Sequence, residues 1–300
     1  MILVAGSANL DFVVRADHIP GPGETVMGRE FKTYPGGKGA NQAVACARAG
    51  GAKTHMLLGM GADAFAQPLE DSLNGAKVEL HIVRTPDHPT GTAFICVSND
   101  AENAITVAPG ANACLQPVHL PALVGFTHLL MQLETPLATV MAYAKAAQAQ
   151  GVKVVVNAAP AQALPAELLA NVDILIVNEG ELAAIAGHQG SVADGLTKID
   201  VPCVVVTLGS AGCCARIHQS GTPQLIEQAA FPIHPVDTTG AGDTFCGVLV
   251  AALSQGQTLP EAMRLASAAG ALACLTAGAQ SSIPTHAELL HFLKNQPSQS

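Results

Sequence analysis

The sequence predicts an α/β fold in which helices cover both faces of a mostly parallel central sheet, a three-layer α/β/α arrangement. Short apolar runs alternate with helical segments, most regularly between residues 129 and 212. The composition, 49% hydrophobic and 12% charged, allows a large core. No linker-like stretch divides the 300 residues, so we expect one domain over residues 1–300.

The predicted strands are apolar runs that end in polar or glycine residues, at residues 2–5, 54–59, 129–133, 152–156, 172–177 and 204–207. Helices are predicted between them. One is capped by Asp63, one has Pro136 at its first helical position, one opens at Asn178, and one opens at the capping-box pair Thr258 and Glu261.

A smaller β layer is predicted from two segments that have no helix beside them. Residues 92–98 and 103–108 are β-prone runs joined by a polar turn, which predicts a hairpin. Residues 25–34 are expected to form a short exposed pair of strands. We expect these insertions, at about 12–34 and 90–108, to stand off the central sheet; an antiparallel edge of that sheet is the alternative.

The charge and cysteine content exclude several classes of protein. Fourteen basic residues against 23 acidic ones give a net charge of −9, which offers no surface for nucleic acid or an anionic membrane. No apolar run approaches the length of a membrane span. Eight cysteines without a C-x-x-C pair, and no segment resembling a secretory signal, predict free thiols in a reducing, cytoplasmic compartment.

The stretch from Val236 to Phe245 carries the clearest chemistry. Gly240 and Gly242 allow the backbone to approach a ligand where a helix begins, and the free N–H groups of a helix start attract anions. Asp243 lies on the first turn, where a carboxylate can take a proton from a hydroxyl. The alternative is a glycine-rich turn with an aspartate that stabilises the helix start.

Residues 36–43 form a second glycine-rich helix start, in which Lys38 and Asn41 supply hydrogen-bond donors; the spacing is not that of a Walker phosphate loop. Polar residues also follow the predicted strands. Because ligands gather at the carboxyl ends of parallel strands, these residues are candidates for a site: Asn9, Asp11, Glu134, Asn178, Glu181, Thr207 and Gly209.

Residues 36–43 and 237–245 together resemble the two signatures of the ribokinase (PfkB) family of carbohydrate kinases. Residues 22–26, 131–134, 178–181 and 207–210 fall in the family's order, so the resemblance covers essentially the whole chain. It implies a ribokinase-like fold with a small β-sheet lid. It also implies ATP-dependent, Mg²⁺-assisted phosphorylation of the primary 5-hydroxyl of a sugar, D-ribose above all, to give the 5-phosphate.

The resemblance also implies roles for individual residues. Asp243 would be the catalytic base, and the amides of Gly240, Ala241 and Gly242 would form the anion hole. The sugar would be held by Asn9, Asp11, Gly37, Lys38, Asn41, Glu134 and Asp243. The nucleotide would be bordered by Asn178, Thr207, Gly209, Gly212, Gly242 and Ser267.

Two metal sites are implied as well. Glu181 and Asn178 would act near Mg²⁺, through water. A K⁺ ion beside the anion hole would be held, mostly by backbone carbonyls, at Asp237, Thr239, Ala273, Thr276, Gly278 and Ser282. Thr276 and Ala277 stand where relatives often have a basic pair, a change that carbonyl ligation would survive.

The lid implied by the resemblance would be lined by Ala93, Ile95 and Val107. Lids of this family pair between subunits, so we expect a homodimer. Cys246, beside the base, stands where a small polar residue is common; we expect a buried neutral thiol, with oxidation-sensitive activity as the alternative.

Three other functions remain open. The first is a kinase of another small sugar or nucleoside, such as 2-deoxyribose or pseudouridine. The second is a non-catalytic sugar-binding regulatory protein, against which the intact Asp243, Asn178 and Glu181 argue. The third is an NAD-binding Rossmann protein, against which the missing G-x-G-x-x-G motif argues.

Overall fold

The structure is a computed structural model that describes residues 1–100, 102–187, 190–219 and 222–296. Its strands are β1 (Ile2–Ala5), β2 (Asn9–Arg15), β3 (Glu30–Gly36), β4 (Thr54–Met60), β5 (Glu79–Arg84), β6 (Gly91–Val97), β7 (Asn103–Ala108), β8 (His128–Met131), β9 (Lys153–Asn157), β10 (Ile174–Asn178), β11 (Cys203–Thr207), β12 (Cys213–Gln219) and β13 (Thr222–Gln228).

The α-helices are α1 (Lys38–Val44), α2 (Ala66–Gly75), α3 (Leu137–Gln148), α4 (Ala166–Leu169), α5 (Glu179–Ala186), α6 (Val192–Thr197), α7 (Ala241–Ser254), α8 (Leu259–Ala273) and α9 (His286–Lys294). A π-helical turn, Ala45–Ala49, continues α1. Short 3₁₀ turns lie at Gly110–Cys114, Pro117–His119 and Gly209–Ala211.

Within the described residues the central sheet has nine strands in the order β13-β12-β11-β10-β9-β8-β1-β4-β5. The strands from β11 to β5 are parallel, and β12 and β13 join as antiparallel neighbours. Side chains alternate between two cores, so Ile2 and Val4 pack on the face covered by α1, α7 and α8, whereas Leu3 and Ala5 pack on the face covered by α3 and α5. The predicted three-layer α/β/α fold is confirmed.

A separate four-stranded sheet, called the small sheet below, has the order β3-β2-β6-β7. Strands β2 and β6 are parallel, whereas β3 and β7 pair antiparallel to them. The hairpin predicted at residues 92–98 and 103–108 is therefore present as β6 and β7. Phe12 stacks on Phe94 (centroids 5.4 Å apart) and meets the edge of Phe65, at the start of α2, so one face of the small sheet contacts the main body.

Several local predictions are wrong. Residues 25–34 do not form a pair of strands: a single strand, β3, begins at Glu30 and pairs with β2. Helix α2 starts at Ala66, after Phe65, and Asp63 accepts hydrogen bonds from the amides of Phe65 and Thr90 instead of capping the helix. Pro136 is the N-cap of α3 and not its first helical residue. Strands β5, β12 and β13 were missed, because their alternating polar residues match the pattern of edge strands and loops alike.

Among the described helices, none combines the length and the apolar character that crossing a bilayer requires.

Candidate active site

The candidate site lies where the two glycine-rich helix starts meet beyond the carboxyl ends of β1, β8 and β10. Helices α1 and α7 pack in close contact at Gly247, where a β-carbon would come within 2.5 Å of the Gln42 carbonyl oxygen. One turn earlier on α7, this packing places the carboxylate of Asp243 against the side chains of α1.

Asp243 accepts one hydrogen bond on each carboxylate oxygen. The side-chain amide of Asn41 donates to Oδ2 at 2.8 Å, and that of Gln42 donates to Oδ1 at 2.9 Å. Asn41 is 6% exposed, and its own Oδ1 has no partner among the described residues. A buried acceptor without a donor is costly, so Asn41 is set up to receive a hydroxyl from a ligand.

The start of α7 leaves two amides free beside Asp243. Gly240, the N-cap, adopts the left-handed conformation (φ 74°). The Ala241 amide donates to the Thr238 carbonyl at 3.2 Å, whereas the amides of Gly242 and Asp243 have no acceptor among the described residues. The predicted anion hole thus has the Gly242 amide available together with that of Asp243, and the Ala241 amide is engaged.

Asp11, on β2, is 9% exposed, and its carboxylate accepts no hydrogen bond from the described residues. Its pKa is raised to about 7, first by burial and then by the carboxylates of Glu134 and Asp243, against the opposing effect of Lys38. Gly36 makes room for this group, since a β-carbon there would lie 2.1 Å from Asp11 Oδ2. A nearly buried carboxyl without a partner suits a ligand rich in hydroxyls.

Glu134, directly after β8, is held through one carboxylate oxygen. Oε2 accepts the hydroxyl of Ser7 at 2.5 Å and the amide of Lys38 at 3.1 Å, whereas Oε1 has no hydrogen-bond partner among the described residues. The pKa of the Lys38 ammonium is raised, mainly by Asp243 and further by Glu134 and Glu181, against the effect of burial. Lys38 is therefore a cation at the centre of the acidic groups.

Asn9 lies at the start of β2 and is 2% exposed. Its Oδ1 accepts from Nδ2 of Asn112 at 2.8 Å, so Asn9 presents its amino group to the site. Asn112 is fixed in turn by the backbone of Ala8, with bonds of 3.0 and 3.2 Å. Gly37 (φ 88°) approaches the same segment so closely that a β-carbon would lie 2.7 Å from the Asn9 amide nitrogen. All seven predicted sugar-binding residues thus come from segments that meet at this point.

A cavity of about 480 Å³ lies on the other side of the α7 start, between β11 and α8. Its lining includes five of the six predicted nucleotide residues: Thr207, Gly209, Gly212, Gly242 and Ser267. A smaller cleft of about 160 Å³ contains Lys38, Asn178, Glu181 and Asp243, and it shares Thr207 and Gly242 with the larger cavity. The two spaces therefore join beside the free amides of α7.

Asn178 and Glu181 form a capping box at the start of α5. Asn178 Oδ1 accepts the amide of Glu181 and Glu181 Oε2 accepts the amide of Asn178, both at 2.8 Å. Burial raises the pKa of Glu181, while the Asn178 amide and Lys38 oppose this. Oε1 of Glu181, in the small cleft, has no hydrogen-bond partner in the part of the chain that the structure describes. Among the described residues, no three His, Cys, Asp or Glu side chains converge to bind a metal directly.

The residues predicted to hold K⁺ lie in two segments that the structure brings together. Asp237 Oδ2 accepts the amide of Gly278, and its Oδ1 accepts the amide of Thr239, both at 2.9 Å. The amides of Val236 and Asp237 donate to the Cys274 carbonyl at 2.8 and 3.2 Å. This joins the segment before α7 to the end of α8 and the loop that follows it, where Ala273, Thr276, Gly278 and Ser282 lie.

Cys246 is 2% exposed and lines the small cleft beside Asp243. Burial is the main cause that raises the pKa of its thiol, and the nearby carboxylate of Asp243 adds to it. At neutral pH the group is a neutral thiol, in line with the simpler of the two interpretations.

The sequence reasoning missed five buried residues that bond to the predicted ones directly or through Gln42: Ser7, Gln42, Asn112, Gln132 and Asn157. The rule of strand ends could have found two of them, because Ser7 follows β1 and Asn157 ends β9. Gln42 lies next to the predicted Asn41 in the same motif. Nothing in the sequence connects Asn112 with Asn9, which lies 103 positions away.

Comparison with known proteins agrees with this architecture. The profile of the pfkB family carbohydrate kinases matches residues 1–286. The chain is 38% identical to the ribokinase of Haemophilus influenzae, over 98% of both chains, and 34% identical to that of Bacillus subtilis, over 97% of this chain and 99% of the relative.

Solved structures agree equally well. A ribokinase from Thermotoga maritima matches with a TM-score of 0.89 at 34% identity, covering 98% of this chain and 99% of that one. A ribokinase from Arabidopsis thaliana, complexed with ribose and ATP, matches with a TM-score of 0.86 at 32% identity and the same coverage. This chain belongs to the pfkB family of carbohydrate kinases.

Proposed function

We propose that this chain transfers the γ-phosphoryl group of ATP to the 5-hydroxyl of D-ribose, giving ribose 5-phosphate. The observation that carries the proposal is the position of Asp243. Its carboxylate lies beside free helix-start amides, between a cluster of hydroxyl-binding groups and a cavity of about 480 Å³. The 33–38% identity to several ribokinases supports ribose as the substrate.

The sugar would lie among Asn9, Asp11, Asn41 and Glu134. The Asn9 amino group donates to a hydroxyl oxygen, while the Asn41 oxygen and the free oxygens of Asp11 and Glu134 accept hydroxyl protons. Gly37, which has no side chain, would allow the backbone to approach the sugar at the same place. The sugar is thereby held by groups that match both the donor and the acceptor sides of its hydroxyls.

Asp243 acts as the base that takes the proton from the attacking 5-hydroxyl. The amides at the α7 start, foremost that of Gly242, stabilise the charge that develops on the transferred group, and Lys38 adds a half-buried positive charge nearby. We include Gly240 and Ala241 in the anion hole because they set the path of the backbone there, and the Ala241 amide joins if its bond to Thr238 opens.

ATP would occupy the larger cavity, with its base toward Ser267 and α8 and its phosphates at Gly242, where that cavity meets the small cleft. Asn178 borders the phosphate end. Thr207, Gly209 and Gly212 form the opposite wall. In this proposed pose the γ-phosphoryl group would lie next to Asp243.

The residues fit two cations. Glu181 and Asn178 would hold Mg²⁺ through water, since Glu181 keeps one free carboxylate oxygen in the cleft and no direct metal cage exists among the described side chains. Bound Mg²⁺ would neutralise the phosphate charge. K⁺ would lie where Asp237 joins the segment after α8, held largely by carbonyls and close to the Gly240 backbone. It would stabilise the conformation of the anion hole.

The small sheet would act as a lid over the sugar, within a single domain of 300 residues. Asp11 lies on the face that also carries Ala93, Ile95 and Val107, by strand register. Ile105 and Val107 on this face are 56% and 43% exposed. We propose that a second copy of the chain covers them in a homodimer. The eight free cysteines support a reducing, cytoplasmic location.

The proposal is tested by ADP release with Mg-ATP and a panel of acceptors: D-ribose, 2-deoxyribose, fructose, pseudouridine and adenosine, each with and without K⁺. We expect the highest kcat/KM for ribose and a rise with K⁺. Asp243→Asn should lower kcat at least about a hundredfold while sugar binding persists. A higher kcat/KM for another acceptor would identify that acceptor, instead of ribose, as the substrate. No turnover by folded, ATP-binding protein would favour a regulatory sugar-binding role, and near-normal turnover of Asp243→Asn would remove Asp243 as the base.

A further inference from the structure

Three buried amide side chains form a hydrogen-bonded chain behind Asp243. Gln132 Nε2 donates to Gln42 Oε1 at 2.6 Å, and Gln42 Nε2 donates to Asn157 Oδ1 and to Asp243 Oδ1, each at 2.9 Å. Gln42 and Gln132 are fully buried, and Asn157 is 7% exposed. All three polar contacts of Gln42 are therefore made without water.

The groups at either end of this series of hydrogen bonds determine which partner donates in each bond. Asn157 Nδ2 donates to the Ile176 carbonyl at 3.1 Å, and a carbonyl can only accept. Asn157 must consequently turn its oxygen toward Gln42, which must offer an amino group in return. The second N–H of that group meets Asp243, whose ionised carboxylate also only accepts. Reversing any amide would oppose like groups at one of the contacts.

Asn41 and Gln42 hold Asp243 in different ways. Asn41 donates to Asp243 through its amino group, and its oxygen has no partner among the described residues. Because Asn41 is also a predicted sugar contact, we expect this oxygen to bind the ligand. Gln42 already uses both N–H groups and its oxygen in hydrogen bonds to described residues, and its side chain is fully buried. It holds Oδ1 of Asp243 in place whether or not the sugar is bound, and directs Oδ2 toward the hydroxyl.

We infer that Gln42 is a positioning residue for the reaction: the Gln132–Gln42–Asn157 chain fixes the carboxylate of Asp243 in the orientation that proton transfer needs. This inference rests on the proposed role of Asp243 as the base. Nothing in it requires contact between Gln42 and either substrate. Its signature is therefore a loss in kcat with little change in the KM values.

The test compares Gln42→Leu and Gln42→Glu with the wild-type chain in steady-state assays with ribose and Mg-ATP. Leu removes every hydrogen bond of the side chain, whereas an ionised Glu keeps the shape and the acceptor for Gln132, removes the donor to Asp243 and adds a negative charge beside it. We expect both variants to lower kcat about ten- to a hundredfold, the effect of losing a hydrogen bond to a charged group. The KM values for ribose and ATP should stay within about threefold.

A double-mutant cycle separates positioning from general damage. In the Asp243→Asn background, Gln42→Leu should change the residual kcat less than about twofold, because no carboxylate base is left to orient. Tyr143→Phe is the control: it removes a partly buried hydrogen bond (Tyr143 hydroxyl to Gln116 carbonyl, 2.7 Å) on the other face of the sheet. It should lower thermal stability without affecting kcat.

Each outcome decides a separate point. If both Gln42 variants keep kcat within twofold of wild type, or if Gln42→Leu lowers kcat equally with and without the Asp243 carboxylate, the inference is wrong. If Gln42→Leu does not fold, Gln42→Glu alone carries the same criteria. If Asp243→Asn itself turns over normally, the proposed function of Asp243 fails, a result that the single variants at Gln42 cannot produce.

Discussion

Replacing Asp11 by asparagine is expected to stabilise the ligand-free protein at alkaline pH while impairing its use of the sugar. Asp11 is 9% exposed, and its pKa is about 7 instead of the usual 3.8, first because of burial and then because of Glu134 and Asp243. A carboxyl group that ionises less readily in the folded chain than in the unfolded chain opposes folding once both forms are ionised.

The size of the effect follows from the two pKa values. Well below pH 3.8 Asp11 is protonated in both the folded and the unfolded state and does not affect stability. As the pH rises, the unfolded chain loses this proton first, so the folded state loses stability by about 2 kcal/mol at pH 5, about 3 kcal/mol at pH 6 and about 4 kcal/mol at pH 8. The neutral amide of Asp11→Asn should remove this dependence, and its advantage should grow by about 2 to 3 kcal/mol between pH 5 and pH 8.

Urea denaturation of both proteins at pH 5, 6.5 and 8, without sugar or nucleotide, measures the difference directly. Asp71→Asn, on the exposed side of α2, serves as the control and should show no such trend. Added ribose should stabilise the wild-type chain much more than Asp11→Asn. A variant that is less stable than wild type at pH 8, or whose advantage is the same at every pH, would refute the account of Asp11 as a strained carboxyl group.

Three further outcomes are expected. The KM of the wild-type chain for ribose should fall as the pH rises from 6 to 8, because Asp11 ionises near pH 7 and then accepts hydroxyl protons. The KM for ATP should not change with pH over this range. A KM for ribose that also does not change would contradict the prediction. Ser7→Ala removes the 2.5 Å hydrogen bond to the carboxylate after β8 and should lower kcat/KM for ribose about tenfold, whereas Ser254→Ala, at the end of α7, should not. Gly37→Ala should abolish measurable ribose binding, because the added β-carbon would lie 2.7 Å from backbone atoms. Gly151→Ala has a similar positive φ but no atom near the added β-carbon, so denaturation should show a loss of only about 1 kcal/mol of stability.

The sequence was sufficient for the fold class and for the general place of the site. Strand–helix alternation requires parallel strands with covered faces, and in that geometry every strand end points to one edge of the sheet. The glycine-rich starts of α1 and α7 could also be predicted from the sequence, because glycine readily adopts the positive φ found at Gly37 and Gly240. These features depend on local sequence and are visible without knowing which segments meet.

Only the tertiary structure decided which side chains face one another and in what chemical state. The pKa of Asp11 rises to about 7 because folding buries it beside two other carboxylates, one of them 232 positions along the chain. The sequence shows Gln42 only as a polar residue near a helix start and does not predict its partners. Folding brings it into hydrogen-bond contact with Gln132, Asn157 and Asp243. Hydrogen-bond direction and carboxyl ionisation are properties of the assembled neighbourhood, because each depends on partners that local pattern does not identify.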